Sequence, residues 1–176
     1  MMKVYLVLAL IALSGCSTMQ PPRYSISVDN VEALNKYEDA QLTVSQFSQS
    51  VEFNSSCRLM GPIEPADRLT FPDFIGKAFN DELKMAGVHS DVGTKISGDI
   101  TNVDFSSTKG ITNGFWDISI FLTSSNGKTL ATPNRYTFKS GFDAITACNA
   151  TAGALTPAVQ DLIQKTVTNP EFVKLL

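Results

Sequence analysis

Trp116, Ile118, Ile120 and Leu122 occupy alternate positions, and Ser124-Ser125-Asn126-Gly127-Lys128 follows them directly. Strand side chains point alternately to two faces, so these four apolar residues share one face and require cover. Asn-Gly accepts the positive φ angles of hairpin turns, so the chain reverses there. The returning strand carries Tyr136, Phe138 and Ser140. Pro133, lacking an N–H to donate to a ladder, marks an edge, a bulge or a break. Upstream, residues 95–106 alternate as Ile96, Gly98 and Ile100, then change phase to Val103 and Phe105. That slip predicts a bulge near Thr101-Asn102. Together these segments form a three-stranded antiparallel meander with one apolar face.

Two helical patterns can supply the cover. Phe74, Ile75, Ala78, Phe79, Glu82, Leu83 and Ala86 recur at helical spacing, and all but Glu82 are apolar. Pro72 and Asp73 suit the first turn, and Gly87 is placed to end the helix. Residues 143–167 carry a second stripe: Ile145, Cys148, Ala152, Leu155, Val159, Leu162 and Ile163. Pro157 interrupts it, by a kink or by a new helix with Thr156 as cap. A last turn, 170–176, packs through Phe172 and Leu175.

Before the first helix, Tyr24-Ser25-Ile26-Ser27-Val28 alternates strictly and predicts a strand. Residues 29–41 fit a loop or a short helix. Leu42-Thr43-Val44 starts another strand, which Val51-Glu52-Phe53 continues or restarts, and the turn-rich stretch 61–67 leads into the helix. The expected fold is an α+β two-layer sandwich, a mostly antiparallel sheet of about five strands with two main helices on one face. The expected domain covers residues 24–176.

The first residues have a different character. Lys3 precedes the apolar run Val4–Leu13, and Leu13-Ser14-Gly15-Cys16 closes it. Ten helical residues reach about 15 Å, half a bilayer's hydrocarbon thickness, which fits a signal-peptide core and not a spanning helix. Leu-Ser-Gly-Cys resembles the lipobox of bacterial lipoproteins. The resemblance implies cleavage of residues 1–15, diacylglycerol on the Cys16 thiol and acylation of the new amine. Residues 16–23 then read as a lipidated tether. By the rule of that family, Ser17 directs the chain to the outer membrane, with its domain on the periplasmic face.

Setting Lys3 aside leaves 13 basic against 17 acidic residues, with no basic stripe, so nucleic-acid binding is not expected. If lipid takes Cys16, Cys57 and Cys148 remain. In an oxidising envelope the two form a disulfide; the alternative is two separate buried thiols. One histidine and two cysteines without close spacing make no zinc site, and neither metal nor cofactor is expected.

No constellation points to catalysis. His89, Ser90 and Asp91 are adjacent, and adjacent residues cannot face one another as a triad requires, so His89 reads as an exposed loop residue. Asp81 and Glu82 face different ways on their helix, and Asp99, Asp104 and Asp117 read as outward residues of the meander. Two features bear on binding. The long loop 106–114 carries Ile111, and Phe115 and Phe121 lie on the strand face opposite Trp116. Either the N-terminal strands or loops cover these two, or Ile111, Phe115 and Phe121 form a partner surface or an apolar groove.

Several stretches resemble a group of proteobacterial envelope lipoproteins: Cys57-Arg58 with Gly61-Pro62-Ile63, Val103-Asp104-Phe105-Ser106-Ser107, Trp116-Asp117-Ile118, Ala147-Cys148 and Pro157-Ala158-Val159-Gln160. The resemblance covers roughly residues 51–175 and implies location and a disulfide, not an activity. The expected role is non-enzymatic: a binding or assembly module of an envelope complex, with an envelope protein as partner. The alternative is a carrier or sensor of an apolar ligand, such as a lipid, held between helices and sheet.

Overall fold

A computed structural model describes residues 19–110 and 112–176. The expected signal peptide and lipidated Cys16, and Ile111 of the expected partner surface, lie outside the described residues. Helix α1 spans Val28–Leu34, strand β1 Leu42–Gln49, helix α2 Phe71–Met85 and strand β2 Thr94–Lys109. Strand β3 spans Asn113–Ser124, β4 Thr129–Lys139, helix α3 Ala144–Gly153 and helix α4 Leu155–Val167. The fold is α+β. One sheet has strand order β1-β2-β3-β4, and its inner face is covered by helices.

The meander forms as its alternation requires. β2 and β3 pair antiparallel with a register shift between Ile100 and Asn102, the expected bulge. β3 and β4 pair without interruption from Thr123↔Thr129 to Asn113↔Lys139. At the hairpin only Gly127, and not Asn126, takes a positive φ. Pro133 sits on β4, an edge strand, where a missing donor is tolerated. Trp116, Ile118, Ile120 and Leu122 are each at most 1% exposed. Burying one such side chain contributes roughly 1.5–3 kcal/mol.

Among the described residues the sheet has four strands, not about five, and it is mixed. β1 pairs parallel with β2 because α2 carries the chain back between them, and parallel neighbours need such a crossover. Tyr24–Val28 is not a strand. Ser27 Oγ accepts from Asn30 N and caps α1, so helix initiation takes over where alternation suggested pairing. Residues 51–53 do not restart β1. Phe53 instead turns inward, with ring centroids 5.1 Å from Phe71, 5.9 Å from Phe105 and 6.1 Å from Trp116.

α2 is capped by Thr70, whose hydroxyl accepts from Asp73 N, and it ends at Gly87, φ 75°. It packs on β1, where the rings of Phe79 and Phe47 stack at 5.9 Å. A Cβ on Gly98 would lie 2.4 Å from Phe47, so only glycine leaves room for that ring over β2. α4 covers β3 and β4, and α3 covers the far end of the sheet, where Trp116 Nε1 donates to Thr151 O at 2.8 Å. α1 bridges α2 and α4.

The second helical stripe breaks in two at Ala154. Pro157 stands in the first turn of α4, where its missing N–H has no partner to lose. Thr156 is inside the helix and not its cap. Ile145, expected to point inward, is 53% exposed. The final turn, Phe172–Leu175, buries Phe172 and Leu175 as expected, and Ser124 Oγ donates to Leu175 O at 2.7 Å.

Cys57 and Cys148 are bonded, with Cα atoms 5.9 Å apart and a sequence separation of 91. Closing a loop of that length stabilises by roughly 4–5 kcal/mol on the chain-entropy model. Cys57→Ser with Cys148→Ser is therefore expected to lower the urea-unfolding free energy by several kcal/mol. Equal stability in both proteins would contradict that estimate.

Candidate functional site

Position 82 lies one turn beyond Ala78 and Phe79, on the buried face of α2. A glutamate there enters the apolar layer and must find donors. Glu82 is fully buried, and its Oε1 accepts from Tyr24 Oη at 2.5 Å, Ser27 N at 2.9 Å and Asn30 Nδ2 at 3.3 Å. Asn30 Nδ2 also donates to Gln160 O at 3.1 Å. Burial and the Glu82 acceptor push the Tyr24 phenol far above the usual tyrosine range, so it stays protonated.

These bonds fasten an extended strap, residues 19–27, across α2 and α4. Thr156 Oγ1 donates to Pro22 O at 3.0 Å, and Gln160 Nε2 donates to Ser25 O at 2.8 Å. Arg23 pairs with Asp67 at 2.9 Å. Met19 and Pro21 are buried, so packing begins inside the stretch expected as tether. Glu82 is closed to solvent and presents nothing to a substrate; its chemistry here is attachment.

The disulfide gathers a second region. Arg58 and Leu59, just after Cys57, both hold positive φ angles, 45° and 62°. The Arg58 guanidinium donates to Ser107 Oγ at 2.9 Å, Ser107 O at 3.2 Å and Phe142 O at 3.1 Å. Leu59 is fully exposed, Met60 is 37% exposed and Phe142 is 81% exposed. Ile145 stands one turn before Cys148 on α3.

The expected partner surface is split. Phe115 and Phe121 do lie on the sheet face opposite Trp116, six residues apart on β3, about 20 Å. Between them Asp117 pairs with Arg135. The Arg135 guanidinium also stands 4.6 Å from the Phe115 centroid, and Lys109 Nζ 5.7 Å from it. Cationic head groups, rather than the N-terminal strands or loops, stand over Phe115. Phe121 borders a shallow groove of about 240 Å³ with Gln46, Ser48, Asp99 and Thr123. Asp104 faces solvent as expected.

His89 is not an exposed loop residue. Its side chain is 16% exposed, Leu42 bridges it to β1, and Nε2 lies 3.4 Å from Thr43 Oγ1 and 3.8 Å from Asp91. Ser90 Oγ turns to Gln41 Oε1 instead, so the three neighbours form no relay. Among the described residues no group of three or more His, Cys, Asp and Glu side chains could hold a metal ion, and no helix is long and apolar enough to cross a membrane.

The sequence carried a signal for Glu82, the one acidic residue in an apolar stripe; Phe142 reads from it only as a further aromatic on the meander, and the exposure of Leu59 and Phe142 depends on the loops around the disulfide. No protein-family model and no curated protein matches this chain.

Glu82→Ala removes the acceptor of the half-buried Tyr24 phenol and Ser27 amide and leaves Asn30 Nδ2 with Gln160 O alone. At roughly 1–3 kcal/mol for an unpaired buried donor, less where water reaches it, urea unfolding should show a loss of about 2–3 kcal/mol. Glu82→Gln keeps a carbonyl acceptor and should lose less. A loss below about 1 kcal/mol for Glu82→Ala would show that these bonds contribute little net stability. For Tyr24, the folded-state pKa lies above the unfolded one. Its stabilisation is therefore intact below about pH 10 and is lost as pH rises from there. Tyr24→Phe should flatten the alkaline decline in stability; an unchanged alkaline limb would contradict the Tyr24–Glu82 assignment.

Proposed function

We propose that this chain is an outer-membrane-anchored lipoprotein, facing the periplasm, that serves as a non-enzymatic binding or assembly module of an envelope complex. The observation that carries the reading is the Cys57–Cys148 bond. Such bonds persist in oxidising compartments. This one also accounts for two of three cysteines and leaves Cys16, at the end of the Val4–Leu13 run, as the third. The lipobox resemblance gives that residue its lipid, and Ser17 gives the outer membrane.

A binding role is supported by where the apolar side chains stand. Leu59 and Phe142 at the disulfide end and Val92 at the far end of β2 are more than four-fifths exposed, so apolar contact surface is offered at two separate ends of the domain. The space between helices and sheet is filled: Phe74, Ile75, Trp116, Ile118, Ile120 and Leu162 are each at most 2% exposed. No observation favours an apolar ligand held there.

Two measurements test the reading. Mass spectrometry of the mature wild-type protein should find acyl mass on a chain beginning at Cys16, and Cys16→Ala should abolish both acylation and cleavage. Affinity purification from membranes with the lipid intact should recover a stoichiometric envelope protein. Stoichiometric lipid without protein, beyond the anchor itself, would instead indicate carriage, and recovery of neither would overturn the assembly role.

A further inference from the structure

The strap begins beside the disulfide. Met19 is buried, and a side chain at Gly61 would stand 3.6 Å from Met19 Cε, so the chain enters the fold against the turn that presents Leu59 and Met60. Cys16 precedes Met19 by three residues, a covalent reach of at most about 11 Å. Whatever holds Cys16 lies within that distance of the disulfide end of the domain.

That end carries apolar side chains that the described residues leave exposed, Leu59 and Phe142 almost wholly, Ile145 by 53% and Met60 by 37%. Leu59 and Met60 follow Cys57, while Phe142 and Ile145 precede Cys148, so the disulfide and the Arg58–Phe142 hydrogen bond bring both pairs to one end. Leu59 projects from a left-handed backbone, an uncommon conformation for leucine, with its whole side chain outside the body. Lys109 and Lys139 stand at the same end, because both meet Asn113 in the sheet register. A depression of about 490 Å³ there is lined by both lysines together with Asn113, Gly114, Thr137 and Phe138. Asp143, the cap of α3, is the acidic group beside Phe142. Exposed apolar side chains with two lysines at the same end of the sheet match the boundary between acyl chains and anionic headgroups.

Resting on the lipid-anchor reading above, we propose that Leu59, Met60, Phe142 and Ile145 dock the disulfide end of the domain on the bilayer that holds the Cys16 lipid. The domain is then oriented as well as tethered. β2 runs from Ser107, which Arg58 grips, to Thr94, about 45 Å along the strand. Val92, 91% exposed just before Thr94, points into the aqueous space at the opposite end.

The test uses the full lipidated protein in vesicles of phosphatidylethanolamine and phosphatidylglycerol, with bromine on the acyl chains close to the headgroups. Tryptophan is placed at three exposed positions, Leu59→Trp, Phe142→Trp and Val92→Trp, with Trp116 as the common buried background. Leu59→Trp and Phe142→Trp should shift to shorter wavelength and lose at least half of the added emission to bromine. Val92→Trp should lose almost none. Flotation with the vesicles but equal quenching at all three sites overturns the docking alone. Failure of the wild-type chain to float overturns the anchor, and the docking with it. A blue shift at Leu59 and Phe142 without bromine quenching shows a protein surface, a second copy or another chain, covering this end, and also overturns the proposal.

Discussion

The attachment of the N-terminal strap depends on one carboxyl group inside an apolar layer. Glu82 stands where α2 would otherwise present another aliphatic side chain, and its Oε1 collects a phenol, a backbone amide and a side-chain amide. Each donor comes from a different structural task. Tyr24 belongs to the strap, Ser27 caps α1, and Asn30 reaches through α1 to Gln160 on α4. A buried acceptor of this kind gives modest net stability but high directional demand, because donors left without it are costly. The position of α1 between α2 and α4 follows from that demand as well as from apolar packing.

The disulfide acts on the other end of the same layer. It joins the irregular segment after β1 to α3, and Arg58 adds three hydrogen bonds that tie this segment to the end of β2 and to the loop before α3. Two loops that would otherwise move separately are thereby fixed to the sheet. Leu59 and Phe142 on these segments stay exposed, while Phe53, Phe71, Phe105 and Trp116 pack on one another as an aromatic cluster.

The meander and α2 were legible in the sequence because their signals are local. Alternation in β3, the phase slip at Thr101-Asn102 and the stripe from Phe74 to Leu83 each act within a few residues. The direction of β1 was less legible, since parallel pairing depends on how α2 carries the chain back and not on anything in Leu42–Gln49. Tyr24–Val28 misled for a related reason. Its alternation is real, but Ser27 caps a helix and Tyr24 answers a glutamate 58 residues away. Phe115 and Phe121 were placed on the correct face, while the cover over Phe115 came from Arg135 on the neighbouring strand, a pairing that appears only with the register. Ile145 fits the helical period of residues 143–163, yet the break at Ala154 lets α3 turn it outward.

The strap also determines the length of a leash. While Pro22, Tyr24, Ser25 and Ser27 are held, the nine residues from Met19 to Ser27 contribute no slack between Cys16 and the folded body. Peeled away, those nine residues would add up to about 30 Å of reach. If Cys16 is held at a membrane as proposed, tension on it draws first on the bond at Pro22 and only afterwards on Tyr24 and Glu82, so the fastenings lie in series along the line of pull. A domain held in that way would have two heights above the bilayer, one with the strap fastened along α2 and α4 and one with it peeled away.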